Sequence, residues 1–229
     1  MTVGIMQPYF MPYIGYWQLM AAVDKYVVFD DVNFIKRGWA NRNNILLNGE
    51  PYLFSISLNG ASQNKLFNEI EIADDFEKLK KTLYHSYSKA PYFVETMQLL
   101  DEIFEYADKN LARFLYHSFQ VILTYLDCKT ELIMSSSIEK DNQLKGKDKI
   151  LDICHALLAD RYINAIGGQD LYDRDEFTQN GIELKFLQTN SVPYQQYKND
   201  FVPNLSIIDV LMFNGKEGTI KMLGEYTLV

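Results

Sequence analysis

A strand–helix–strand pattern in the C-terminal half constrains the fold of this chain more than any other feature. Residues 131–134 read as a strand. Ile150, Leu151, Ile153, Cys154, Leu157 and Leu158 then recur at the spacing of an amphipathic helix. Residues 161–166 make a second strand ending in Gly167-Gly168, and Ile182, Leu184 and Phe186 mark a third. Strands joined through a helix of this length pair in parallel, by a right-handed crossover. The expected fold class is α/β, with a parallel or mixed sheet of Rossmann-like β-α-β units and a helical middle segment.

The N-terminal part adds strands to that sheet. Residues 3–6 read as a short buried strand, followed by a loop to about Pro12 and a helix from about Ile14 with Trp17 and Ala21 on one face. Residues 26–29 are a second β-rich run ending at Asp30-Asp31. Asn48-Gly49 between apolar runs signals a hairpin. Its second arm alternates Tyr52, Phe54, Ile56 and Leu58 against Leu53, Ser55 and Ser57, as in a sheet with one wetter face. Three helices follow over residues 76–87, 93–104 and 111–126, with Pro91 between the first two and Asp108 as a cap for the third. The 229 residues are 48% apolar, enough for a single α/β domain. Its expected sub-regions are 1–60 (with the hairpin), 75–127 (helical) and 130–229 (C-terminal α/β).

Composition excludes several classes of function. Net charge is −8, from 22 basic and 30 acidic residues, which argues against a nucleic-acid or anionic-membrane binder. No apolar run approaches the ~20 residues of a membrane span. The N-terminus reads as no signal peptide, since Tyr, Gln and two prolines interrupt it, so a cytoplasmic protein is expected. Two cysteines, Cys128 and Cys154, fit a reduced compartment and rule out a Cys-based zinc site. No GxSxG, P-loop, GxGxxG or HExxH motif occurs. Of His85, His117 and His155, none is a candidate acid or base. Cys154 and His155 project ~100° apart on a helix and cannot pair as nucleophile and base. Asp152 and His155 share a helix side, most simply as a surface pair, and no carboxylate or His set suggests a metal.

The candidate site residues gather where strands end. Gln7, Tyr9 and Tyr13 carry polar tips on a loop stiffened by Pro8 and Pro12, as a recognition loop needs; a packed turn would look the same. Residues 32–49 carry Lys36, Arg37 and Arg42 and no acid, a positive island that suits one small anionic ligand or is a solvated loop. Asn41 lies beside it. Asn164 precedes Gly167, Gly168, Gln169 and Tyr172, where paired glycines permit close approach of a ligand to backbone or form a tight turn. Asp31 ends a strand, and only one of Asp30 and Asp31 can face a given cleft. Asp209 lies among Leu205, Met212 and Phe213 and could be a buried carboxylate with a shifted pKa. Ser206-x-x-Asp209 also reads as a capping box, with Asn214-Gly215 as the helix stop.

These residues resemble the WbqC-like family of bacterial proteins. The matching elements include the stretch from Gln7 to Tyr16, Asp30-Asp31-Val32, Ile35-Lys-Arg-Gly38 and Asn41-Arg-Asn43. They continue at Tyr87, Lys89-Ala-Pro-Tyr92, residues 162–172, Phe177, Gly181-Ile182 and residues 205–215. The resemblance implies an association with O-antigen and other surface-polysaccharide biosynthesis, and an acyl or aminoacyl transfer to an amino sugar. It supplies no catalytic residue set and no cofactor. On that reading Lys36, Arg37 and Arg42 neutralise the diphosphate of a nucleotide sugar, while Gln7, Tyr9 and Tyr13 read the acceptor. Asn164, Gly168 and Gln169 line the opposite wall, and Asp31 or Asp209 is the base. Two alternatives stay open. One is a non-catalytic binding or scaffold protein of the same pathway. The other is a degenerate nucleotidyltransferase, since Pro-x-x-Gly-Tyr after a strand is similar to the phosphate loop of those enzymes. Their two histidines are replaced here by Tyr13, Ile14 and Tyr16.

Overall fold

The computed structural model describes residues 1–198 and 200–229. In chain order, β1 (Thr2–Met6), α1 (Ile14–Ala21) and β2 (Lys25–Val28) open the fold, followed by the hairpin β3 (Arg42–Leu47) and β4 (Glu50–Ser55). Two short strands, β5 (Leu58–Asn59) and β6 (Glu71–Ile72), lead into α2 (Glu77–Tyr87), α3 (Phe93–Phe104) and α4 (Leu111–Tyr125). The chain closes with β7 (Glu131–Met134), α5 (Gly146–Ala156), β8 (Arg161–Ala165), α6 (Arg174–Gln179), β9 (Glu183–Thr189), α7 (Ile207–Leu223) and β10 (Tyr226–Leu228).

Six strands form one sheet in the order β10-β9-β8-β1-β2-β7. β9, β8, β1, β2 and β7 are parallel, and β10 alone runs antiparallel, against β9. This is the doubly wound order, in which chain progression reverses beside β1, between β1 and β8. Val3, Gly4 and Ile5 are all buried because β1 is covered on both faces, so it reads as a run rather than an alternation. Val3, Ile5, Val27, Tyr162, Leu184 and Phe186 pack under α5 and α6. Tyr26, Val28, Ile163 and Leu187 face α1, α4 and α7. Among the described residues, no helix is long and apolar enough to cross a membrane.

The α/β class and the three-helix segment agree with the sequence pattern. Asn48 and Gly49 adopt φ of 54° and 84°, the paired positive values of the expected two-residue hairpin turn. Three local readings change. α4 is capped by Asn110, whose side chain accepts from Arg113 N, while Asp108 accepts from Asn110 N and pairs with Arg113. The Gly167-Gly168 segment forms a 3-10 turn with neither glycine at positive φ, and the next α-helix starts only at Arg174, capped by Asp173. Asn214-Gly215 does not end its helix. Gly215 takes φ 61° and ψ −164°, a region open essentially to glycine, and α7 resumes beyond the kink.

At that kink the Tyr92 ring comes within 2.5 Å of where a Cβ would stand. Gly215→Ala therefore meets both a forbidden backbone and a ring. We expect it to lower stability by about 1–3 kcal/mol and the thermal midpoint by roughly 2–12 °C. An unchanged urea midpoint would show that the kink relaxes at no cost.

Candidate functional site

The loop over residues 7–13 leaves β1 at the point where strand order reverses, and its backbone is held from three sides. Tyr16 Oη donates to Gln7 O at 2.6 Å, and Trp17 Nε1 to Pro12 O at 3.0 Å, both from α1. From β3, Asn43 Nδ2 donates to Phe10 O (3.1 Å) and Met11 O (2.8 Å). From the start of α7, Ser206 Oγ donates to Met11 O (2.7 Å) and Ile207 N to Pro12 O (2.9 Å). Phe10 N in turn donates to Trp39 O at 3.0 Å. Met11 sits at φ 45° with its side chain fully buried, a conformation that persists only when its surroundings over-determine it.

This clamp sets the rings of Tyr9 and Tyr13 in the wall of a cavity of about 350 Å³, completed by Pro12, Trp39, Asn43 and Asn204. Tyr13 can lie close over α1 because residue 15 is glycine; a Cβ there would stand 2.5 Å from the ring. Burial raises the pKa of both tyrosines, with Tyr13 adding to the effect on Tyr9, so both are neutral hydroxyl donors. Trp39 is 42% exposed, with the Arg42 guanidinium 5.8 Å from its ring centre. Three aromatic rings beside amide side chains suit a sugar ring: its C–H face stacks and its hydroxyls bond at the edge. Asn204 also borders a neighbouring cavity of about 220 Å³, shared with Ile14, Thr189, Ser191 and Tyr194.

Asp31 forms a second centre, after β2. The two adjacent carboxylates diverge as expected. Asp30 is fully buried and accepts from Ser136 N (2.9 Å) and Asn68 Nδ2 (3.1 Å), which fixes two neighbouring loops. Asp31 Oδ2 pairs with Lys140 (2.8 Å) and Lys149 (3.0 Å), both lysine side chains being almost wholly buried. Burial alone would raise the Asp31 pKa. The two ammoniums outweigh it and hold the carboxyl below the usual range, which makes it a poor proton acceptor. Beside it opens a cavity of about 540 Å³ that also contacts Asn33, Lys145, Gly146 and Lys149.

Asp209 is a third centre. Its Oδ2 accepts from Tyr87 Oη (2.7 Å), and its Oδ1 from Tyr194 Oη (2.6 Å) and Gln196 Nε2 (2.7 Å). Tyr87 Oη itself accepts from Leu46 N, so one carboxylate ties α2, β3, α7 and residues 194–196 together. Burial raises its pKa against the pull of the three donors. The capping reading is half right, because Ser206 caps α7 through Ile208 N while the Asp209 side chain turns inward to the tyrosines.

The remaining sequence candidates divide. Arg42 is committed to its own turn, donating to Gly38 O (2.9 Å) and to Arg37 O, while Lys36 and Arg37 are exposed. Asn41 Nδ2 donates to Ile56 O (2.9 Å) and holds the base of the hairpin. Asn164 accepts from Ala165 N, and its Nδ2 would lie 2.7 Å from a Cβ on Gly168. Gly168 is thus set by close packing rather than by positive φ. Tyr172 packs on Tyr162 and Phe177, and Gly167 and Gln169 are exposed. None of these lines the cavity of Tyr9 and Tyr13 or that of Asp31. The Cys154 thiol is pushed up to about 12 by burial and is inert. No cluster of three or more His, Cys, Asp or Glu able to hold a metal occurs among the described residues. Sequence reasoning missed Trp39, Asn204, Tyr194, Lys140, Lys145 and Lys149. Lys149 had a signal: it falls four residues before Ile153, on the apolar stripe of its helix.

The two shifted carboxylates give opposite pH signatures. Asp31, with its lowered pKa, adds stability that is present above the unfolded value and lost as pH falls through the folded one. Asp31→Asn should cost about 3–5 kcal/mol at neutral pH, and its gap from wild type should close in acid. Asp209, with its raised pKa, adds stability that is present in acid and lost as pH rises through its folded value. The stability gap between wild type and Asp209→Asn should therefore shrink from pH 4 to pH 8 in urea melts. Parallel pH profiles for the two variants would refute the assignment.

Residues 7–221 match the WbqC-like protein family, and this chain belongs to that family. It is also similar to the uncharacterized protein Rv1507c of Mycobacterium tuberculosis (strain ATCC 25618 / H37Rv), with 27% identity over 221 residues that span 94% of each chain. No solved structure matches.

Proposed function

For this member of the WbqC-like family we propose a transferase that forms an amide between a small acyl or aminoacyl donor and a nucleotide-linked amino sugar, in the assembly of a bacterial surface polysaccharide. The observation that carries the reading is the aromatic cavity of Tyr9, Tyr13 and Trp39, built on a clamped loop at the carboxyl edge of a doubly wound sheet. The sugar ring stacks on the rings, and Asn204 reads its hydroxyls from the side. The Asn43 amide is already used by the loop, so it forms the floor.

The chemistry needs a proton acceptor for the acceptor amine. Tyr194 borders the neighbouring cavity and donates to Asp209. The amine nitrogen attacks the acyl carbonyl and the donor's leaving group departs. The amine's proton passes to Tyr194 Oη as the tyrosine's own proton passes to Asp209. A carboxyl with a raised pKa suits that task better than Asp31, which two ammoniums hold ionised. Asp31 then positions lysines rather than acting as the base. The alternative, a non-catalytic sugar-binding protein of the same pathway, is favoured by the complete enclosure of Asp209.

Thermal shift with nucleotide-linked amino sugars tests the reading. A ligand at 100 times its dissociation constant stabilises by about 2.7 kcal/mol, a rise of roughly 5–10 °C for a chain of this size. Tyr13→Ala should weaken binding about three- to tenfold, the worth of one stacking contact. A shift given equally by bare nucleoside triphosphates, or one untouched by Tyr13→Ala, would sink the proposal. Retained amide formation in Tyr194→Phe would remove the proton route and favour a different acceptor.

A further inference from the structure

We infer that the cavity beside Asp31 is a phosphoryl-binding subsite, built by Lys145, Lys149 and the first turn of α5. The inference deepens the reading above, on which the identity of the complete ligand rests. It also moves the anionic part of that ligand away from the exposed Lys36 and Arg37.

Charge is the first argument. Lys140 and Lys149 bring two positive charges against the single carboxylate of Asp31, leaving one net positive charge almost wholly buried. Lys145, on the cavity wall, is exposed and has no ion pair among the described residues. On the wall itself, Lys145 and Lys149 against Asp31 leave one net positive charge, with Lys140 paired to Asp31 outside the lining, on a protein of net charge −8. Such a wall attracts an anion and leaves a neutral ligand without a partner for its charge.

Backbone geometry is the second. α5 has eleven residues, and its N-cap, Lys145, makes no side-chain hydrogen bond to the helix end, so the cap satisfies none of the first-turn N–H groups. Gly146 adopts φ 54°, and nothing lies within 4 Å of where its Cβ would be. The cavity therefore reaches bare backbone at the positive end of a helix, where phosphate oxygens bind.

The third argument is an unused acceptor. Asp31 lines the cavity with its side chain nine-tenths buried. Oδ2 takes both ammoniums, while Oδ1 is buried with no hydrogen-bond partner among the described residues. Such an atom is costly unless a ligand supplies the donor. A hydroxyl beside the phosphoryl group, as in a nucleotide or sugar phosphate, fills that role. Asn33, Asn142 and Ser136 complete a polar rim. The position also fits: Asp31 follows β2, next to the strand where chain progression reverses, on the edge where ligands of this sheet type bind.

Inorganic pyrophosphate tests the subsite without any sugar, by isothermal titration at low ionic strength. Wild type should bind it, Lys145→Ala should weaken binding at least fivefold, and Lys145→Arg should restore it to within twofold. Because Lys145 is exposed, its replacement leaves the buried ion cluster intact. The double variant Lys36→Ala with Arg37→Ala should bind as wild type does. The inference is overturned if wild type ignores pyrophosphate, if Lys145→Ala binds undiminished, or if the double variant is the one that loses binding. Pyrophosphate binding with no response to any amino sugar would uphold the subsite and remove the transferase reading alone.

Discussion

The hydrogen bonds that hold the loop after β1 are the constraint on which the rest of this structure depends. Four consecutive-region carbonyls, of Gln7, Phe10, Met11 and Pro12, each receive a donor from an element distant in sequence or from α1. A loop of this kind would otherwise carry unsatisfied polar groups into the core. Here the same bonds dock β3 and the start of α7 onto the sheet. Tertiary assembly and the shape of the aromatic cavity are one event, and the left-handed Met11 is retained as its consequence.

That economy explains why so many polar residues near the site are structural. Asn43, Ser206, Asn41 and Arg42 all spend their donors on backbone carbonyls. Side chains fixed in this way cannot read a ligand, but they make its pocket rigid, which lowers the entropy lost on binding. On the reading proposed above, ligand recognition falls to Tyr9, Tyr13, Trp39 and Asn204 around one cavity and to lysines around the other. Asp209 extends the same principle within the first turn of α7, where one carboxylate and two tyrosines join four segments.

The class of fold was legible in the sequence because its signals are local. The amphipathic run around Ile153, the apolar run of β1 and Asn48-Gly49 each identify their element without knowledge of the rest. Capping was less legible: Asp108 and Asn110 both fit the start of α4, and only the packed structure distinguishes them. Gly215 read as a stop because a positive φ normally ends a helix, whereas here Tyr92 packs against the kink and the helix continues. Of the site, the loop at residues 7–13 was found through its tyrosines and prolines. Trp39 and Asn204 were not, since pairing residues more than 160 apart requires the fold. The lysines of the second cavity escaped notice because basic residues in a polar stretch read as solvated until burial shows otherwise.

On the reading proposed above, the clamped loop presents a sugar-binding wall with Trp39 as its exposed face. The chain has two tryptophans, and Trp17 is fully buried and bonded to Pro12 O. Tryptophan emission on titration with a nucleotide-linked amino sugar therefore reports on Trp39. We expect a saturable change that is absent in Trp39→Phe. A flat titration, or an unaltered response in Trp39→Phe, would contradict that reading.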